Sequence, residues 1–397
     1  EKYLARIRPF YHDASLIKVL TGVRRCGKST IMRQIISELS GNDIVYLDLD
    51  SKENIRIVTS DVLEKKIDGS FSNSGEHRFL FIDEIQNVKD FEPLINAYRN
   101  DGVSVFITGS NSYLLSGQLV TKLTGRFLEF PIFPFSFSEV RDFKELNGLP
   151  FSSSEEFRSY IVRGGFPQRF MCSGENEQMT YIRQLVDESI EKDILKLRKV
   201  RNRPLLKKVL GYVASSPGAE ISSVSISKYL RTEKINTLPN TINRYMDLIF
   251  ASKLALRCDR FDVIEKKVLK TFYKSYVADP AVYSFYPDYR HDLRIGAILE
   301  NIVYLELVSR GYNITVGKLR DKEIDFVVTE GENLAYVQVT YVMDNPETEV
   351  REERPLLAIK DGYPKYIISM DPVNISRNGI KRLNMIDDFL LGDKFVF

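Results

Sequence analysis

At 397 residues the chain is longer than one hydrophobic core usually covers, so two to four domains are expected. Its 43% hydrophobic and 28% charged residues are those of an ordinary globular protein and exclude a disordered chain. A formal net charge of +2 gives the whole molecule no strong field, so any nucleic-acid binding must come from a local basic face.

Three widely spaced cysteines (Cys26, Cys172, Cys258) and three scattered histidines (His12, His77, His291) form neither a CxxC pair nor a His cluster. That argues against a disulfide framework and against a zinc site. No apolar run reaches the roughly 18 residues that cross a bilayer. The opening "EKYLARIRPFYHD" lacks the apolar core of a secretion signal. A reducing, cytoplasmic setting without a membrane partner is the expectation.

In chain order, "SLIKVLT" (15–21) reads as a strand, "GVRRCGKST" (22–30) as a glycine-bracketed loop, and "STIMRQIISELS" as a helix with apolar residues at helical spacing. The pattern GxxxxGK[ST] in that context is a phosphate loop. Gly22 and Gly27 let backbone N–H groups turn inward, Lys28 reaches the β- and γ-phosphates, and Ser29 holds Mg²⁺. Val23, Arg24, Arg25, Cys26 and Thr30 complete the nucleotide-binding segment. Cys26 occupies one of the free positions of the pattern, so redox sensing is not expected of it.

"RFLFIDEIQNV" (78–88) predicts a buried strand ending in an acidic pair. Asp83 is the candidate magnesium ligand, and Glu84 the residue that orients or deprotonates the attacking water. A further strand, "VSVFITGS" (103–110), ends at Ser110 and Asn111, either of which would sense the γ-phosphate. "KLTGRFLEFPIFPFSFSEV" then carries Arg126 into a Phe/Pro-rich stretch that cannot be a long helix.

The order GVRRCGKST, FLFIDEIQ, ITGSNS, LTGR and PFSFSEV resembles the AAA+ superfamily, in particular the prokaryotic ATPases that pair an AAA-type domain with a C-terminal domain of unknown function called DUF4143. The resemblance implies that Ser110 or Asn111 is the first sensor and that Arg126 is an arginine finger acting on a neighbouring subunit. It also likens Gly165 and Pro167, in "IVRGGFPQRF", to the Gly-x-Pro element by which related lids contact the adenine.

Residues 205–262 read as helix, short helix, longer helix and hairpin, the order of a winged helix. The helix near 241–248 would then present Asn240, Asn243 and Arg244 to DNA. Alternatively the module only packs the lid against the C-terminal domain. The last segment, with an amphipathic helix at 296–309 and strands "EIDFVV" and "LAYVQVTY", resembles the restriction-endonuclease-like end of that family. Glu300 and Asp325 match magnesium ligands of such nucleases, but Gln338 and Thr340 stand where Glu and Lys would. Cleavage is therefore not expected.

The expected fold class is α/β: a P-loop AAA+ parallel sheet (1–135), a helical lid (136–203), a winged-helix-like module (204–265) and a C-terminal α/β restriction-endonuclease-like domain (266–397). The expected function is a slow Mg²⁺-dependent ATPase that binds ATP or ADP as a conformational switch, with a partner protein recognised by its C-terminal half and a homo-oligomer as a possible assembly. The alternatives are an ATP-regulated DNA-binding protein or nuclease, and a nucleotide-dependent scaffold.

Overall fold

The computed structural model describes residues 1–72, 77–109, 125–195, 200–286, 295–343, 345–372 and 375–397. The chain divides into two compact units. One is Glu1–Phe133 with Ala251–Lys253, and the other is Pro134–Phe250 with Leu254–Phe397.

The first unit is built on five parallel strands, β1 (Ile17–Thr21), β2 (Asp43–Asp48), β3 (Arg78–Asp83), β4 (Ser104–Gly109) and β5 (Phe127–Pro131). Their order across the sheet is β2-β3-β4-β1-β5. Helices α1 (Lys2–Ile7), α2 (Lys28–Glu38), α3 (Ser60–Asp68) and α4 (Glu92–Asn100) flank it. Parallel strands covered on both faces are shut off from water, so β1 and β4 are buried at every position, the polar Lys18, Thr21, Ser104 and Thr108 included. One face packs Val19, Leu80, Ile82 and Ile107 against Leu63 and Ile67 of α3 and Ile95 of α4. On the other face Phe81 stacks on Phe106 with ring centroids 4.6 Å apart.

The second unit begins with α5 (Phe137–Leu146), α6 (Ser153–Arg163), a 3-10 turn (Pro167–Met171) and α7 (Glu175–Ser189). After α8 (Arg203–Ala214) come β6 (Glu220–Ile221), α9 (Ser223–Thr232), α10 (Pro239–Ala251) and the antiparallel pair β7 (Ala255–Asp262) and β8 (Lys267–Val277). Next follow α11 (Pro280–Ser284), α12 (Ile295–Ser309), β9 (Asn313–Leu319), β10 (Lys322–Glu330), β11 (Asn333–Val339), α13 (Pro346–Leu357), β12 (Lys365–Ser369) and β13 (Ile380–Asn384).

The strands of this unit form one eight-stranded sheet of order β13-β12-β11-β10-β9-β7-β8-β6. The hairpin is part of it: β7 runs parallel to β9 with Arg260 opposite Val316 and Asp262 opposite Lys318. The sequence boundary at 265/266 falls in the turn of that hairpin.

One expectation is corrected. Helix α12 is not amphipathic, because residues on all its sides are buried, including Leu299, Ile302, Val303, Tyr304, Glu306 and Leu307. A helix covered all round carries no polar face to read. Among the described residues no helix is long and apolar enough to cross a membrane.

Candidate nucleotide site

The phosphate loop springs from β1 at the carboxyl edge of the sheet, with β4 on one side and β5 on the other, the position where open α/β sheets hold ligands. The backbone turns through left-handed conformations at Arg25 (φ 62°) and Gly27 (φ 109°). Gly22 is needed for space. A Cβ there would lie 2.1 Å from the Ile132 carbonyl oxygen and 2.9 Å from Cys26 Sγ. Gly27 caps α2, so the first N–H groups of that helix open towards the loop.

Lys28 is 4% exposed, and its Nζ donates to the carbonyls of Gly22 (3.1 Å) and Val23 (3.2 Å). Cys26 is buried, and burial pushes its thiol above the usual range, which leaves it unreactive. Val23 is buried, Arg24 and Ser29 are half-buried, and Arg25 and Thr30 are exposed. Arg24 lies 4.0 Å from Asp50.

The acidic pair ends β3, which β4 separates from β1. Asp83 is buried, and its Oδ2 accepts from the Tyr46 hydroxyl at 3.4 Å. Glu84 takes a left-handed backbone (φ 58°, ψ 47°), a strained choice for a residue with a side chain. Thr108 of β4 binds both residues: its hydroxyl donates to Asp83 Oδ1 and accepts from the Glu84 N–H at 2.9 Å. The Gln86 amide donates to the Glu84 carboxylate. Burial raises the Glu84 pKa above the ordinary carboxylate value, against the opposing charges of Lys28 and Arg24.

Sequence reasoning passed over Thr108 and Gln86. A threonine inside the apolar run "VFITG" was the available signal for the first, and proximity to the acidic pair for the second.

Ser110 and Asn111 lie outside the described residues. Arg126 is exposed and precedes β5, its carbonyl accepting from Ile17 N–H at 3.0 Å. Because β5 runs parallel to β1, with Ile17 opposite Phe127 and Thr21 opposite Pro131, Arg126 sits at the amino edge of the sheet. Four residues of strand, about 13 Å, separate that edge from the loop.

Gly165 and Pro167 belong to the second unit, where the Gly165 N–H donates to Asp279 Oδ2 at 2.7 Å. Asn240, Asn243 and Arg244 are exposed on α10. Glu300 and Asp325 come from α12 and β10, while Thr340 is buried beyond the end of β11.

The sheet order and the loop define a P-loop ATPase fold of the AAA type, and residues 14–141 match the family described as AAA domain. Residues 154–287 match a domain of unknown function, DUF8612, where the sequence resemblance had pointed to DUF4143 further on. An uncharacterised protein of Haemophilus influenzae is 34% identical over 380 residues, covering 93% of this chain and 92% of the relative. Uncharacterised protein MJ1544 of Methanocaldococcus jannaschii is 30% identical over 373 residues, covering 90% and 81%. The chain belongs to the family of these two proteins. In fold it is similar to the Walker-type ATPase paby2304 of Pyrococcus abyssi, with a TM-score of 0.51 and 16% identity over 72% of this chain and 95% of that one.

Proposed function

We propose that the protein binds and slowly hydrolyses Mg²⁺-ATP in its first unit and uses the change of nucleotide as a switch for a partner bound by its second unit. The observation that carries this reading is the convergence at one sheet edge of a phosphate loop and an acidic pair bridged by Thr108. The donor set fits a magnesium–nucleotide. Lys28 and the N–H groups opening from α2 suit phosphate oxygens, and Ser29 and Asp83 suit a hard cation. Magnesium, when bound, neutralises charge on the β- and γ-phosphates. Glu84 accepts the proton of the attacking water, a role served by its raised pKa. Arg126, exposed at the far edge of its own sheet, is assigned to the nucleotide of a neighbouring copy, which makes a homo-oligomer part of the proposal.

In the second unit the element order helix, strand, helix, helix, hairpin supports the winged-helix reading of residues 204–265, with the second hairpin strand running on to Val277. The exposed Asn240, Asn243 and Arg244 on α10 favour DNA as the alternative partner.

The test is direct. Lys28→Ala should lower ATP affinity at least tenfold, since a charge-assisted contact of about 1.5–3 kcal/mol is removed. Glu84→Gln should keep binding while hydrolysis falls by about 10²–10⁴. A folded Lys28→Ala protein with wild-type affinity by calorimetry would end the nucleotide reading. A duplex-DNA titration of the ATPase rate separates the protein partner from DNA.

A further inference from the structure

In the nucleases that the last segment resembles, residues matching Glu300 and Asp325 hold magnesium. What the fold delivers to that place is a lysine. Lys274, on β8, is 5% exposed, and its Nζ lies 3.0 Å from Glu300 Oε1 and 2.8 Å from Glu323 Oε1. The Tyr276 hydroxyl donates to the same Glu300 oxygen at 2.6 Å. Arg260 takes the second Glu323 oxygen at 2.6 Å and reaches Glu220 at 3.0 Å.

Asp325 Oδ2 accepts the Val339 N–H at 2.8 Å, and Gln338 Oε1 faces the Asp325 N–H at 3.4 Å, turned to backbone. The charges of Glu300, Asp325 and Glu323 all attract the Lys274 ammonium.

A hydrated magnesium ion does not fit this arrangement. It demands near-octahedral oxygen coordination and retains several waters. Glu300 is roofed by backbone: a Cβ on Gly218, which has φ +71°, would stand 2.9 Å from both carboxylate oxygens. Among the described residues no group of three or more His, Cys, Asp or Glu side chains is arranged to hold a metal.

We propose that Lys274 is the built-in cation of this acid cluster, standing in the place of a divalent ion and tying β8 to α12 and β10. The second unit accordingly works without a metal at this position, and the network fixes the hairpin β7–β8 to the rest of the sheet. The ion network lies within the second unit and does not depend on what the first unit does with nucleotide.

The consequence is that a small neutral residue at 274 vacates the space the lysine side chain fills and leaves the acids uncompensated, so that a divalent cation excluded from the wild-type arrangement can enter. The experiment uses the full chain free of nucleotide, titrated with Mn²⁺ and followed by electron spin resonance of the free ion and by thermal unfolding. Wild type and Lys274→Arg should show no Mn²⁺ binding that Asp325→Asn removes. Lys274→Ala should gain one bound Mn²⁺ per chain, and the site should vanish in Lys274→Ala/Asp325→Asn. Should Lys274→Ala fold poorly by itself, millimolar Mn²⁺ should restore its cooperative unfolding. Wild-type binding of Mn²⁺ that is lost in Asp325→Asn would overturn the proposal. So would a Lys274→Ala protein that neither binds Mn²⁺ nor is rescued by it.

Discussion

Replacing Thr108 by valine tests whether the acidic pair is held from the neighbouring strand. The two side chains have nearly the same shape, so the change opens no cavity and removes only the hydroxyl. Two hydrogen bonds go with it, the one Thr108 gives to Asp83 and the one it accepts from the Glu84 N–H at 2.9 Å. The residue is 0% exposed, so water cannot replace either. A bond to a charged group contributes about 1.5–3 kcal/mol and a neutral one about 0.5–1.5, which together give a loss of about 2–4.5 kcal/mol. Urea unfolding of the nucleotide-free protein should show that loss as a lower midpoint with an unchanged slope. The hydrolysis rate should fall as well, because Glu84 loses the contact that fixes its left-handed backbone. A Thr108→Val protein within about 0.5 kcal/mol of wild type would show that Thr108 carries no such bridge.

Lys18 offers a pH test. Its ammonium is 0% exposed on β1, donating to the Asp13 carbonyl and Ser104 Oγ at 2.7 Å each, and burial pushes its pKa down to about 7. Above pH 7 the folded protein has released that proton while the unfolded chain holds it until about pH 10.4, so stability rises with pH. Between pH 7 and 10 wild type should gain on the order of 1.4 kcal/mol per pH unit relative to Lys18→Met. Parallel stability curves for the two proteins would contradict the shift. At the phosphate loop, Gly22→Ala forces a Cβ to within 2.1 Å of the Ile132 carbonyl at φ +150°, so it should destabilise the first unit by about 1–3 kcal/mol and weaken ATP binding. Unchanged calorimetric affinity and melting temperature would refute that reading of the turn.

The phosphate loop, the acidic pair and the strands β1, β3 and β4 were legible in the chain because each is a local pattern: glycine spacing before a helix, or an apolar run that stops at charged or turn-forming residues. Local pattern left β2 unread, since "DIVYLD" is a short edge strand with every second residue only half-buried. Tertiary structure alone decided which side chains meet. Thr108 reaches Asp83 and Glu84 because β4 lies between β1 and β3, an order no local periodicity encodes.

The same holds for Arg126, whose place at the amino edge follows from the parallel pairing of β5 with β1. It holds for α12 too, which the surrounding sheet and helices cover on every side. Lys274 is the plainest case. Thr340 stands where the nucleases that this segment resembles carry a lysine, two residues after Gln338, whereas the fold brings one to Glu300 from a strand 26 residues earlier in the chain. Chain-local pattern fixes which chemistry is available, but long-range strand pairing brings the partner charges within reach, and burial makes each such pairing matter.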